Sequence, residues 1–153
     1  MRRQATAMIS QVPYDVAKRE LETVGRKLGW GAEERRVEEV KRSVGPGNAL
    51  YLEVESEHVT EVFTAFGERG VRAEAVAEAV AEEARVYLES GVPVGEHLCD
   101  QLMLLLALAR GGSFRTLPLD GHAQTQIETF AHFLDVKVEL GQISTREVEV
   151  RVV

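Results

Sequence analysis

The stretch VGEHLCDQLMLLLALARGGSFRTL, Val94 to Leu117, decides how the second half of the chain folds. A helix starting near Glu96 and running to Ala109 accounts for its first part. The apolar run LMLLLALA, Leu102 to Ala109, has eight residues, whereas a membrane span needs about 20, so it reads as a buried helix. Arg110, Gly111 and Gly112 end it, with glycines available for a left-handed cap. SFRTL then reads as a strand. Downstream, HAQTQIETFAHFL (His122 to Leu134) reads as a second helix with Ile127, Phe130, Ala131 and Leu134 inward. VKVEL and EVEVRVV alternate and read as closing strands.

The first half has the same mixture of elements. TAMISQV, Thr6 to Val12, reads as a strand, and PYDVAKRELETVGRKLG as a helix. Pro13 suits its first turn, Val16, Leu21, Val24 and Leu28 form its apolar stripe, and Gly29 stops it. RRVEEVKRS and NALYLEVES read as strands. The turn signal GPGN lies between them, so the two are expected to pair as a hairpin. VTEVFTAFGERG reads as a strand ending near Gly67. Ala and Glu then dominate AEAVAEAVAEEARVYLES, an ordinary helix whose apolar side is Val76, Val80, Val86 and Tyr87. The order of elements predicts an α+β (α/β-like) fold, helices packed on a mixed sheet, with a domain boundary near Gly70.

Composition narrows the functional classes. The chain has 153 residues, 44% of them hydrophobic, enough for a real core. Eighteen basic against 25 acidic residues give a net charge of −7. That argues against a stand-alone nucleic-acid binder, although it leaves room for a local basic groove. The single cysteine, Cys99, cannot form an internal disulfide and fits a reducing compartment. The amino terminus MRRQATAMISQVPYD has no apolar signal-peptide core, so a cytoplasmic location is expected, with no membrane partner.

Two clusters carry chemistry. On the helix of GEHLCDQL, His97, Asp100 and Gln101 share one face, while Leu98, Leu102, Leu105 and Ala109 occupy another. Such a trio either contacts a small molecule or nucleotide, or is a solvated helix start in which Glu96 and Asp100 favour the positive end of the dipole. His122 stands at or just before a helix N-terminus, where free N–H groups favour phosphate and imidazolium is disfavoured. It is suited to accept a phosphoryl or nucleotidyl group, with Gly121 letting a phosphate approach. On the residues alone the plainer reading is a polar helix-start residue capped by Asp120. Spacing alone does not choose. His132, ten residues on, is not at metal spacing, and His58 reads as solvated. His97 with Cys99 falls short of a four-ligand zinc site.

GEHLCDQLMLLLALARGGSF followed by HAQTQI…FL resembles the carboxy-terminal half of the RNA 3′-terminal phosphate cyclase family. That family carries Gly-Glu-His-Leu-x-Asp-Gln-Leu, an apolar run, Gly-Gly-x-Phe, and His-x-x-Thr-Asn-Ile before a helix ending in Phe-Leu. The pieces occur in order, with 22 positions from Asp100 to His122. VPYDVAKRELE, GPGNALYLEVES and FGERGVRAEAVAEA are similar to the family's inserted domain and the return to its catalytic domain. The resemblance implies an inserted αβ domain over 1–70 and the carboxy-terminal part of the catalytic domain, a βαβ-type unit, over 71–153. The sequence departs from the family at Gln126 (usually Asn), Asp120 (usually Ser) and Arg110 (usually small).

By the same resemblance, His122 takes AMP from ATP, and the activated RNA 3′-phosphate closes to a 2′,3′-cyclic phosphodiester. His97, Leu98, Cys99, Asp100 and Gln101 line the ATP site, and Mg²⁺ or Mn²⁺ assists. The implied partners are RNA 3′-phosphate ends and a separately encoded amino-terminal half or a second copy of the chain, since family members are about twice as long. On this reading the apolar helix exposes surface made for a neighbour. A non-catalytic cyclase-like RNA-processing or interaction module, or an inactive remnant, is the alternative. His122 with Thr125 and Ile127 in register favours the catalytic lineage.

Overall fold

The computed structural model describes every residue from Met1 to Val153, and the chain separates into two compact units, Met1–Val86 and Tyr87–Val153. In the first, strand β1 (Arg2–Ser10) leads into helix α1 (Tyr14–Leu28), then strands β2 (Arg35–Glu39), β3 (Gly47–Glu55) and β4 (Thr60–Phe66), and helix α2 begins at Ala73 and ends at Ser90. Pro13 is the N-cap of α1, and Gly29 ends it in the left-handed conformation at φ 68°, donating to the Gly25 carbonyl. Both ends follow from backbone chemistry: proline sacrifices an N–H the first turn does not use, and glycine accepts positive φ without a Cβ clash.

The sheet order is β2-β1-β3-β4, with β1 parallel to β2 and antiparallel to β3. The expected hairpin between the second and third strands therefore does not form. β1 carries buried residues on successive positions, Ala5, Thr6 and Ala7, and a strand buried on both faces belongs in the interior of a sheet. It takes the place between the two, and the Val40 N–H closes the end of β2 onto the Ile9 carbonyl at 2.8 Å. β1-α1-β2 is thus a βαβ crossover, while β3 and β4 form an antiparallel pair as a neighbouring hairpin. Ala7, Ile9, Leu50, Leu52, Val54 and Phe63 from the sheet, with Ala17, Leu21 and Val24 from α1, make up the buried apolar set with Trp30.

α2 spans the residues its composition indicates, but its inner face is different. Ala73, Val76, Ala77, Val80, Ala81, Ala84 and Tyr87 are buried, whereas Val86 is 42% exposed. Alanine fills the inner positions that the valines alone do not define. Arg19 of α1 holds Glu74 with two hydrogen bonds, 2.8 and 2.7 Å, keeping the Glu74 carboxyl well below the usual range, at about 2. The division between units falls after Val86, inside α2, and the change of composition at Gly70 lies before that helix begins.

The second unit holds helix α3 (Glu96–Ala109), strand β5 (Gly112–Thr116), helix α4 (Gly121–Phe133) and strands β6 (Val138–Ser144) and β7 (Glu147–Val152). Its sheet is ordered β5-β7-β6, with β7 antiparallel to both neighbours. β5 and β6 consequently run the same way on either side of β7, so β5-α4-β6 is a βαβ path with a strand inserted between its ends. Val94, Cys99, Met103, Ala107, Ala123, Phe130 and Val150 form the core.

Three expectations change here. The inner face of α3 is Cys99, Met103 and Ala107, while Leu104, Leu105 and Leu108 are 43%, 60% and 62% exposed and Ala109 is also outside. The left-handed cap after α3 is Arg110 at φ 56°, not a glycine, its N–H shared between the carbonyls of Ala107 and Leu106. In α4, Phe130 is buried and Ile127 and Leu134 are half-buried, but Ala131 is exposed. No helix is long and apolar enough to cross a membrane.

Candidate active site

The starts of α3 and α4 lie together in the second unit. A parallel bridge between Val94 and Thr116 brings the residue before the α3 N-cap beside the end of β5, from which the chain enters α4. Gly95 caps α3, and the Cys99 N–H closes its first turn onto the Gly95 carbonyl at 2.9 Å. Asp120 caps α4: its Oδ1 accepts the Ala123 N–H at 2.8 Å. The capping expected from the residue type is therefore present.

His122 is exposed in the first turn of α4, one residue after Gly121. The Asp120 carboxylate takes the Ala123 N–H, and the N–H groups of Gly121 and His122 stand before it at the positive end of the helix. The next turn is tied down on itself, with the Thr125 hydroxyl donating to the Gly121 carbonyl at 2.8 Å and the Gln124 amide to the Leu119 carbonyl at 3.3 Å. Gln126, in the position the family usually gives to Asn, is half-buried, and its Oε1 is buried without a partner.

The α3 segment divides its side chains between surface and core. His97 and Gln101 are exposed, Leu98 and Asp100 half-buried. Asp100 has a buried Oδ1 with no partner. Burial is the main cause holding the Asp100 carboxyl above the usual range; Asp120 adds to the shift, while His122 and His97 oppose it. These influences place Asp100, Asp120, His97 and His122 in one electrostatic neighbourhood. Cys99 does not share the polar surface: it is 2% exposed and sits in the core, where burial pushes its thiol up to about 12 against a smaller, opposite effect of the Thr116 hydroxyl. A thiol so protonated is neither nucleophile nor metal ligand.

Spacing alone left the two clusters apart, and only the family resemblance joined them at one site, because Asp100 and Asp120 come into one neighbourhood through the fold. The signal available was modest: an Asp at a helix start in each segment. Chemically, the neighbourhood offers an exposed imidazole, unpaired helix-start N–H groups suited to an anion, and a carboxyl with reduced tendency to ionise. No group of three or more His, Cys, Asp or Glu side chains is placed to hold a metal ion.

Comparison with known proteins gives a consistent family. The model of the RNA 3′-terminal phosphate cyclase (RTC) insert domain matches residues 1–89. The chain is 47% identical over 138 residues to an RNA 3′-terminal phosphate cyclase of Pseudomonas aeruginosa (strain UCBPP-PA14), covering 90% of this chain and 40% of that protein. It is 45% identical over 142 residues to the protein of that name from Koribacter versatilis, covering 93% and 40%. A Salmonella enteritidis relative of the same name is 45% identical over 137 residues, covering 90% and 40%. The chain thus spans about two fifths of the length of these relatives.

Proposed function

The chain belongs to the RNA 3′-terminal phosphate cyclase family, and from that premise we propose that it serves ATP-dependent conversion of an RNA 3′-phosphate to a 2′,3′-cyclic phosphodiester, with His122 as the nucleotidyl acceptor. The observation that carries the reading is the exposed His122 at the start of α4, near enough to Asp100 of α3 to influence its carboxyl. In the proposed sequence a ring nitrogen of His122 attacks the α-phosphorus of ATP. The bond from that phosphorus to the bridging oxygen breaks, pyrophosphate leaves with the electron pair, and the ring gives up its proton to solvent. An oxygen of the RNA 3′-phosphate then displaces the histidine nitrogen. The neighbouring 2′-hydroxyl attacks the RNA phosphorus, loses its proton, and expels AMP.

His97, Asp100 and Gln101 are the side chains proposed to meet the nucleotide, with Leu98 beside them and Cys99 contributing through its backbone. In this proposal Mg²⁺ or Mn²⁺ offsets the charge that develops on the transferring phosphates. RNA 3′-phosphate ends are the proposed substrate and the cytoplasm the proposed compartment. The exposed leucines of α3 support association, with a separately encoded amino-terminal half or a second copy. The same observation is what favours the second reading, a non-catalytic interaction module.

Incubation with α-labelled ATP and Mg²⁺ or Mn²⁺, followed by denaturing electrophoresis, separates the two readings. Acid-labile, base-stable label on the chain, absent from His122→Ala, is the result expected. Label that persists in His122→Ala overturns the assignment. No label, either alone or with an amino-terminal portion of a relative added, favours the non-catalytic reading.

A further inference from the structure

Strand β2 is an edge of the first sheet, and its sequence is a charge palindrome. It reads Arg35-Arg36-Val37-Glu38-Glu39, with arginines on one side of Val37 and glutamates on the other. The pattern continues past the strand, since Glu33 stands four residues before Val37 and Lys41 four after it. Arg36, Glu38 and Glu39 are exposed and Val37 is half-buried. An edge carrying one sign of charge repels a copy of itself, a common safeguard of free edges. This edge carries both signs, placed so that an antiparallel copy meets opposite charge throughout. The backbone fixes which groups are free. Ile9 is level with Glu39, and the Val40 N–H donates to the Ile9 carbonyl at 2.8 Å. By the two-residue period of a strand, Arg36 and Glu38 also turn their N–H and C=O toward β1, whereas Arg35, Val37 and Glu39 turn theirs to the open edge. The Arg35 N–H is taken by the Ala32 carbonyl. The Arg35 C=O and both groups of Val37 and Glu39 are left for an incoming strand.

We propose that β2 pairs antiparallel with β2 of a second copy of this chain, about a two-fold axis through Val37, so that the sheet runs on from one copy into the other. Val37 of each copy exchanges both backbone hydrogen bonds with its counterpart, and the Glu39 N–H of each donates to the Arg35 carbonyl of the other. Arg36 then stands directly opposite Glu38 of the second copy on both sides of the axis. These are the non-hydrogen-bonded positions, where facing side chains come closest. Charge also selects the register. A slip of two residues, the next that the backbone allows, sets Arg36 against Arg36 or Glu38 against Glu38. The axis is perpendicular to the sheet, so α1 of both copies falls on the same face. A groove of about 230 Å³ beside Val37, lined by Tyr14, Lys18 and Glu22 of α1, borders the edge there. This inference rests neither on His122 nor on the leucines of α3.

Sedimentation velocity of the full chain tests it with two variants and their mixture. Arg36→Glu sets acid against acid across the axis and Glu38→Arg sets base against base, so each variant should self-associate about tenfold more weakly than the parent, or worse. Mixed in equal amounts, the two complement each other at both pairs, and the mixture recovers the affinity of the parent as a heterodimer. Both positions are exposed, so the fluorescence of the buried Trp30 should report an intact first unit in each variant. Val37→Pro removes an N–H that faces the open edge and none that serves the β1 ladder, and should abolish the dimer while the unit stays folded. A parent chain that is monomeric at about 100 μM, single variants that associate as the parent does, or a mixture no tighter than its components overturns the proposal. Association through the α3 leucines is untouched by these substitutions and is not restored by mixing, so it reads differently. Labelling of His122 is scored separately, so either inference can fail while the other stands.

Discussion

Replacing Glu20 by Gln tests the reading of the buried carboxyl through stability alone. Burial is the main cause pushing the Glu20 carboxyl up from 4.5 to about 7, and the Asn48 hydrogen bond opposes it only in part. At about 1.4 kcal/mol per pH unit, a shift of that size corresponds to about 3 kcal/mol. The sign follows from proton binding. Below the unfolded value both states are protonated and nothing is lost. As pH rises, the unfolded chain releases its proton while the folded one holds it, so stability falls until the folded carboxyl also ionises near neutrality. Glutamine cannot ionise, and its Oε1 can still accept from Asn48. Relative to the parent, Glu20→Gln should therefore gain about 3 kcal/mol between roughly pH 4 and pH 8. Trp30 is the only tryptophan, 2% exposed in the first unit, so its fluorescence reports unfolding of that unit. With a urea slope of about 1–3 kcal/mol/M, the gap between the two midpoints should widen by roughly 1–3 M. A gap that stays constant across this range would falsify the claim that Glu20 is driven neutral by burial.

Arg110→Gly should stabilise the second unit by about 1 kcal/mol, since Arg110 holds φ 56° and glycine adopts that conformation without a Cβ clash; an unchanged or lower thermal midpoint counts against it. Asp120→Ala removes the acceptor for the Ala123 N–H and should lower stability by about 1 kcal/mol, whereas Asp120→Ser keeps a capping oxygen and should recover most of it, both read by urea unfolding. Leu105→Glu with Leu108→Glu changes two positions that are 60% and 62% exposed, so the fold should persist while concentration-dependent association in sedimentation velocity falls; unaltered association removes the α3 face from the partner account.

The local elements were readable where one residue type settles a backbone state. Pro13 and Gly29 bound α1, and the Asp120 cap opens α4. What failed was whatever depends on distant chain. The GPGN signal is real as a turn, but nothing near it says that β1 will stand between the strands on either side. In α3 the apolar run is so continuous that leucine positions conceal the inner face, which the smaller Cys99 and Ala107 and the flexible Met103 supply. Glu20 could have been noticed: it lies three residues after Ala17 and four before Val24, both fully buried, so a carboxyl there interrupts an inward stripe. Within a segment reading AKRELE it looks instead like one more solvated charge.

The two aspartates at the helix starts have unequal surroundings, and the inequality sets what a substitution at either one does to the other. Asp120 sets its Oδ1 against the Ala123 N–H at 2.8 Å, closing the first turn of α4. Asp100 has no such donor on Oδ1, and both its burial and the nearby Asp120 favour its neutral form. The fold thus gives one aspartate a backbone donor and leaves the other with a buried oxygen and a raised tendency to keep its proton. Serine at position 120 would retain a capping oxygen and remove one of the influences that raise the Asp100 carboxyl, so Asp120→Ser should bring that carboxyl back toward its usual range, as a carboxyl-resolved NMR titration would read.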